Sequence, residues 1–172
     1  MSFSETYQSL KNRDFLFLWI GMLTLMFGMN MQMLVRSYFV YELENSGMLL
    51  GIVNAGSAIP MLTLALVGGV IADRLHKKRI IQAGQLLAGI VSLVVAILIL
   101  TENVTWVHLL IASIVQGAVF AFMMPARQAL IPQMVGQKLM SNAVALNAAA
   151  MSFSTLAAPT AAGLLYEFIG PG

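Results

Sequence analysis

Cysteine is absent from this 172-residue chain, and charged residues make up only 9 % of it. The first absence removes disulfides, thiolate metal sites and cysteine nucleophiles. Cohesion therefore has to come from packing. The second excludes an ordinary soluble domain, in which about 25 % of residues are charged. The sequence also lacks a His-Glu-x-x-His helix, a Gly-x-Ser-x-Gly turn, paired aspartates within an apolar stretch and a phosphate-binding glycine loop. Intramembrane hydrolysis and ATP-driven pumping lose their usual signatures with them. Ser57 and Ser113 lie in apolar segments, and no histidine sits at a comparable depth to activate them. Helix-to-helix bonding is their expected role. The chain is read as a non-enzyme with no cofactor and no metal site.

What is present is hydrophobic: 59 % of residues are apolar and the mean hydropathy is +0.86. A soluble fold has no way to hide that much apolar surface. A net charge of +2 would suit a nucleic-acid partner if the basic residues shared one surface. Instead the lysines and arginines, Arg36 excepted, fall in short groups between apolar runs. That pattern orients a chain in a bilayer, and no nucleic-acid partner is expected.

A spanning helix needs roughly 20 mostly apolar residues to cross a hydrocarbon core of about 30 Å. Five segments qualify: Phe15 to Tyr41, Met48 to Ala72, Ile80 to Thr101, Trp106 to Met124 and Ala143 to Ile169. Residues 1–13 form a cytoplasmic segment, in which Phe3, Tyr7 and Leu10 recur at helical spacing, and 14–172 form the membrane domain. The first apolar segment is too long for a signal-peptide core and has no small-residue cleavage site before Glu42, so it is read as retained. Asp14 is placed to cap it.

Sidedness follows from lysine and arginine. Lys11 and Arg13 precede helix 1, Arg74, Lys77, Lys78 and Arg79 follow helix 2, and Arg127 and Lys138 follow helix 4. The alternate connections carry Glu42, Glu44, Glu102 and Glu167 and no basic residue. The N-terminus is thus expected in the cytoplasm and Gly172 outside, in a multi-pass protein of the plasma or inner membrane.

Polar side chains within apolar helices face the bundle interior, an aqueous cavity or the interface. Helix 1 offers Asn30, Gln32 and Arg36, and helix 4 offers Gln116. These four form the candidate substrate pathway. Two readings stand for Arg36, a pocket or gate lining and an interfacial anchor near the outer end. Gln82 and Gln85 are expected to make interhelical hydrogen bonds, Asn54 stands open between such a bond and the pathway, and His108 is expected to play a structural role at the interface. Helix 5 reads NAVALNAAAMSFSTLAAPTAAGLL, small residues that let backbones approach, with a kink expected at Pro159.

The stretch from Gly69 to Arg79, GVIADRLHKKR, and the stretch from Pro125 to Asn147, PARQALIPQMVGQKLMSNAVALN, carry a resemblance to the N-terminal half of major facilitator superfamily transporters. Within that superfamily the chain looks most like enterobactin- and macrolide-exporter-like drug:proton antiporters. Gly69, Asp73, Arg74, Lys77 and Lys78 match the family's loop pattern after helix 2, while His76 stands where many members have glycine. Ala158, Pro159 and Gly163 resemble a degenerate antiporter motif, whereas Ser113 occupies the place of its helix-4 arginine.

The resemblance implies an all-α integral membrane fold of five helices, an incomplete six-helix half, lacking the remaining transporter helices. It implies efflux of a small amphipathic molecule by alternating access, with protons as the coupling ion and the lipid bilayer as surroundings. It places Gly69, Asp73, Arg74, Lys77 and Lys78 in a cytoplasmic gate, and Pro159 and Gly163 in a helix-5 kink. Asp73 near a helix C-terminus opposes the helix dipole and needs a basic partner or another helix's N-terminus. The alternative is that Arg74 to Arg79 only enforce topology, the preferred reading for Lys77, Lys78 and Arg79. The rival reading is a non-transporting scaffold or truncated product, because five helices do not complete one six-helix half.

Overall fold

The computed structural model describes residues 13–136 and 139–169, apart from the side chains of Asp14, Asp73, Tyr166 and Ile169. Phe3, Tyr7, Leu10, Lys11 and Lys138 lie outside the described residues. Five helices follow one another: α1 Arg13–Glu44, α2 Gly47–Arg74, α3 Lys77–Leu100, α4 Trp106–Val135 and α5 Met140–Ile169. All five are long and apolar enough to cross a membrane. The 32 residues of α1 extend about 48 Å, more than the hydrocarbon core requires.

Short connections hold the helices antiparallel in sequence order. Between α1 and α2, Asn45 adopts φ 46, a left-handed conformation that asparagine tolerates. Ser46 then caps α2 by accepting from Leu49 N. Only Leu75 and His76 separate α2 from α3, and His76 sits at the N-cap of α3 with φ −68. That angle is open to any residue, so the turn does not call for the glycine of the family pattern.

α4 differs from the sequence reading. It was expected to stop at Met124, before Pro125, yet it runs through Pro125 and Pro132 to Val135. Proline removes one backbone donor and leaves the carbonyl four residues earlier without its helical partner. For Pro125 that carbonyl belongs to Ala121, and the backbone of Gly68 on α2 is pressed against it. A Cβ built on Gly68 would lie 3.0 Å from the Ala121 carbonyl carbon. The close Cα–H approach covers the freed acceptor, and neighbouring helices commonly rescue prolines in this way. Arg127, read as part of a loop, is consequently inside α4 and only 3 % exposed.

The α2–α4 seam has a second close approach of glycine to backbone. Gly117 of α4 lies against the backbone of Ser57, where a Cβ would come 2.8 Å from Ser57 Cα. Ser113 Oγ donates to the Val53 carbonyl at 2.6 Å, the interhelical role expected of it. α1 and α5 form a second pair. Ala143, Leu146, Ala150, Ser154, Ala158 and Ala162 are buried at spacings of three or four residues, about one helical turn, and Trp19 Nε1 donates to the Leu146 carbonyl at 3.2 Å. α5 is continuous through Pro159, and a Cβ on Gly163 would meet nothing within 4 Å. On α3, Leu86, Leu93 and Leu100 are exposed, which suits a face solvated by lipid.

Buried apolar clusters close the bundle towards its two ends. Val40, Val53, Val104 and Leu109 form one. At the opposite end Ala72, Ile81, Met123, Ala126 and Leu130 form another, with Phe15, Ile131, Ala143 and Leu146 nearby. A polar middle lies between them.

Gly117→Ala and Gly68→Ala are each expected to destabilise the bundle by about 1–3 kcal/mol, the usual range for overpacking against backbone that cannot yield. Gly163→Ala should be neutral or slightly stabilising because its surroundings are open. Thermal unfolding in detergent checks the contrast, and equal midpoints for all three variants would contradict the seam's tightness.

Candidate functional site

Gln116 occupies the centre of the polar middle. Its neighbour Gly117 is seated against α2, and one residue along a helix turns the side chain by about 100°. Gln116 therefore points away from the seam, towards α1 and α3. Arg36 Nη2 donates to Gln116 Oε1. Gln116 Nε2 donates to Gln32 Oε1 at 2.6 Å. Gln32 Nε2 donates to Ser92 Oγ at 2.6 Å, and Ser92 Oγ donates to the Ala88 carbonyl at 2.8 Å.

Four side chains from three helices thus form one directional chain. Each amide receives a hydrogen at its oxygen and gives one from its nitrogen. Such a chain fixes both amide orientations, and its members polarise one another in a low-dielectric setting.

Three cavities meet at Gln116. The first, about 300 Å³, is lined by Arg36, Asn30, Asn54, Ser57, Thr155 and a group of methionines. The second, about 220 Å³, lies beside Gln32, Arg36 and Ser92. The third, about 230 Å³, extends past Gln85 and Ser92 towards Met123. Asn30 Nδ2 bonds its own helix at the Met26 carbonyl, 2.9 Å away, so its amide is spent locally although it faces the first cavity. Ser37 Oγ reaches Asn54 Oδ1 at 3.2 Å and ties α1 to α2 beside it.

All four predicted pathway residues are therefore grouped around the first cavity and its polar partition. Arg36 is joined to Gln116 and lines two cavities. Ser92 was not singled out in the sequence, although it lies seven residues, about two turns, after Gln85 on one face of α3. The lining methionines carry no polar signal that would mark them among the other apolar residues of the sequence.

The residues assigned to a gate lie elsewhere. Arg74, Lys77 and Lys78 border a separate cleft with His76, Arg79 and Gln133. Gly69 has open space where a Cβ would stand, and the tight backbone contact belongs to its neighbour Gly68. Asp73 is the penultimate residue of α2, and its side chain is outside the described set. Pro159 and Gly163 border none of these cavities; α5 contributes Met151 and Thr155 to the first.

His108 caps α4, its Nδ1 accepting from Thr105 N at 3.2 Å. Arg127 has Nε and Nη2 buried with no hydrogen-bond partner among the described residues. No group of three His, Cys, Asp or Glu side chains that could hold a metal occurs among the described residues.

A family profile described as a transmembrane secretion effector, within the major facilitator superfamily, matches residues 4–172. Comparison with curated proteins and with solved structures gave no match.

Gln116→Leu deprives Arg36 and Gln32 of a partner each. A loss of about 1–2 kcal/mol in unfolding stability is expected, two interhelical hydrogen bonds at their usual value in membranes. Gln116→Glu, which keeps an acceptor for Arg36, should lose less. Thermal unfolding in detergent measures both, and an unchanged midpoint for the leucine variant would show that the chain of bonds contributes nothing.

Proposed function

The chain belongs to the transmembrane secretion effector family of the major facilitator superfamily, and from that premise we propose that it is the N-terminal part of a secondary active exporter. It moves a small amphipathic molecule outward across the plasma or inner membrane by alternating access, with protons as the counter-ion. The observation that carries this reading is the polar chain from Arg36 to Ser92, suspended among cavities between two apolar closures. A static scaffold has no use for hydrogen-bonding groups and a cationic side chain lining space in the middle of a membrane bundle, where each carries a solvation cost. A transporter does, because such a midplane site is where substrate is held while the two sides open in turn.

In this reading Asp73 and Arg74 belong to the cytoplasmic gate, with Gly69, Lys77 and Lys78 around them. Asp73 near the end of α2 is electrostatically unfavourable unless a cation or another helix's N-terminus faces it. Making and breaking that contact biases the two states. Each of the chain's seven acidic residues lies before α1, in a loop, or within three residues of a helix end. Proton carriage therefore falls to Asp73 or to helices that complete the bundle. Pro159 and Gly163 serve in α5 as the place where the helix adjusts between states.

Asp73→Asn in the full-length transporter should abolish export while leaving membrane insertion intact, measured as retention of an amphipathic dye in energised cells. Normal export by that variant would refute the gate. Orientation is checked independently in this chain, which carries no cysteine. Asn103→Cys should react with a membrane-impermeant maleimide in intact cells, and His76→Cys only after permeabilisation. The reverse pattern would overturn the sidedness.

A further inference from the structure

The first cavity combines a soft wall with a single fixed charge. Met26, Met29, Met33, Met61 and Met151 line it together with Phe120, and methionine's flexible, polarisable side chain adapts to apolar bodies of differing shape. Arg36 is the one charged residue among the described lining residues. Six residues, about 9 Å of helix, separate it from Glu42, the nearest acid along α1. Its one described hydrogen-bond partner is a neutral amide oxygen on Gln116. A guanidinium carries five N–H donors in a planar fork, and one amide leaves most of that capacity and all of the charge unanswered.

Resting on the reading of this cavity as the substrate site, we propose that it selects amphipathic anions. The apolar body lies against the methionines, and a carboxylate, sulfonate or phosphate group is received by the Arg36 guanidinium. Gln116 holds that guanidinium through Nη2, so the fork is oriented before the ligand arrives. A cationic amphipath of the same shape meets repulsion in the same place, and a neutral one leaves the charge uncompensated. The polarity of the site thus discriminates by charge, while its apolar wall tolerates variation in shape.

The test uses the full chain in phosphatidylcholine nanodiscs and three fluorescent probes that share one apolar body: anionic dansylglycine, neutral dansylglycinamide and the cationic aminoethyl analogue. Dansylglycine should bind at least about tenfold more tightly than the amide, the value of one charge-assisted hydrogen-bonded pair, and the cation most weakly. Arg36→Gln should erase the anion preference, bringing dansylglycine and dansylglycinamide to the same affinity with both still bound above empty discs, while Leu93→Ala on the exposed face of α3 should keep the wild-type preference. Arg36→Lys should retain part of the preference.

Equal binding of all three probes by the wild-type chain would overturn the anion assignment alone. Binding of none above empty discs would overturn the substrate site as well. Displacement of dansylglycine when phosphatidylglycerol is included in the disc would reassign the anion to a lipid headgroup and refute a soluble substrate.

Discussion

The backbone contact between α2 and α4 governs the rest of the bundle. Two helices can approach this closely only where a side chain is missing, and here Gly68 faces Ala121 while Gly117 faces Ser57. In lipid no hydrophobic drive pulls helices together, so intimate packing and interhelical hydrogen bonds have to do so. The seam supplies both, with Ser113 bonded to the Val53 carbonyl along the same line. It also sets a rotation. With Gly117 turned to α2, Gln116 is left facing α1 and α3, and the polar chain forms around it.

That chain satisfies what hydrocarbon demands of buried amides, since both ends of Gln116 and Gln32 find partners. The cation at its head is the exception. Arg36 is joined to a neutral amide and looks into space lined by methionines, while the acidic residues of the described helices stay near their ends. Apolar clusters towards both ends of the bundle enclose this region. A charged, open middle lies between apolar ends, and a basic cleft lined by Arg74, Lys77, Lys78 and Arg79 borders one of them.

Much of this was legible in the sequence because a bilayer imposes long apolar runs and segregates charge. The five helices and the grouping of Asn30, Gln32, Arg36 and Gln116 follow from those constraints. The length of α4 did not, because Pro125 reads as a stop whenever its lost hydrogen bond is considered alone. Only the neighbouring Gly68, far away in sequence, shows how the freed Ala121 carbonyl is covered. The same error put Arg127 in a loop, although it is buried within α4. Gly69 matches the family pattern, yet the tight contact falls on Gly68, since helix rotation about a partner is not encoded in local spacing. Ser92 was equally hidden, because one hydroxyl in an apolar helix becomes informative only once Gln32 is seen opposite it. His76 was an irregularity in the sequence and is none in the fold, where its φ of −68 suits any residue.

In the proposed alternating-access cycle the closures open in turn, so that water and solute reach the middle of the bundle beside Arg36. The natural absence of cysteine allows a direct measurement with single introduced thiols and a charged, membrane-impermeant methanethiosulfonate reagent. Asn30→Cys, facing the first cavity, and Leu93→Cys, on the exposed apolar face of α3, are to be compared in native membranes. An aqueous pathway predicts rapid modification at position 30 and none at position 93. Equal inertness at both positions would mean that the cavity is dry and that the cluster around Gln116 only holds the helices together.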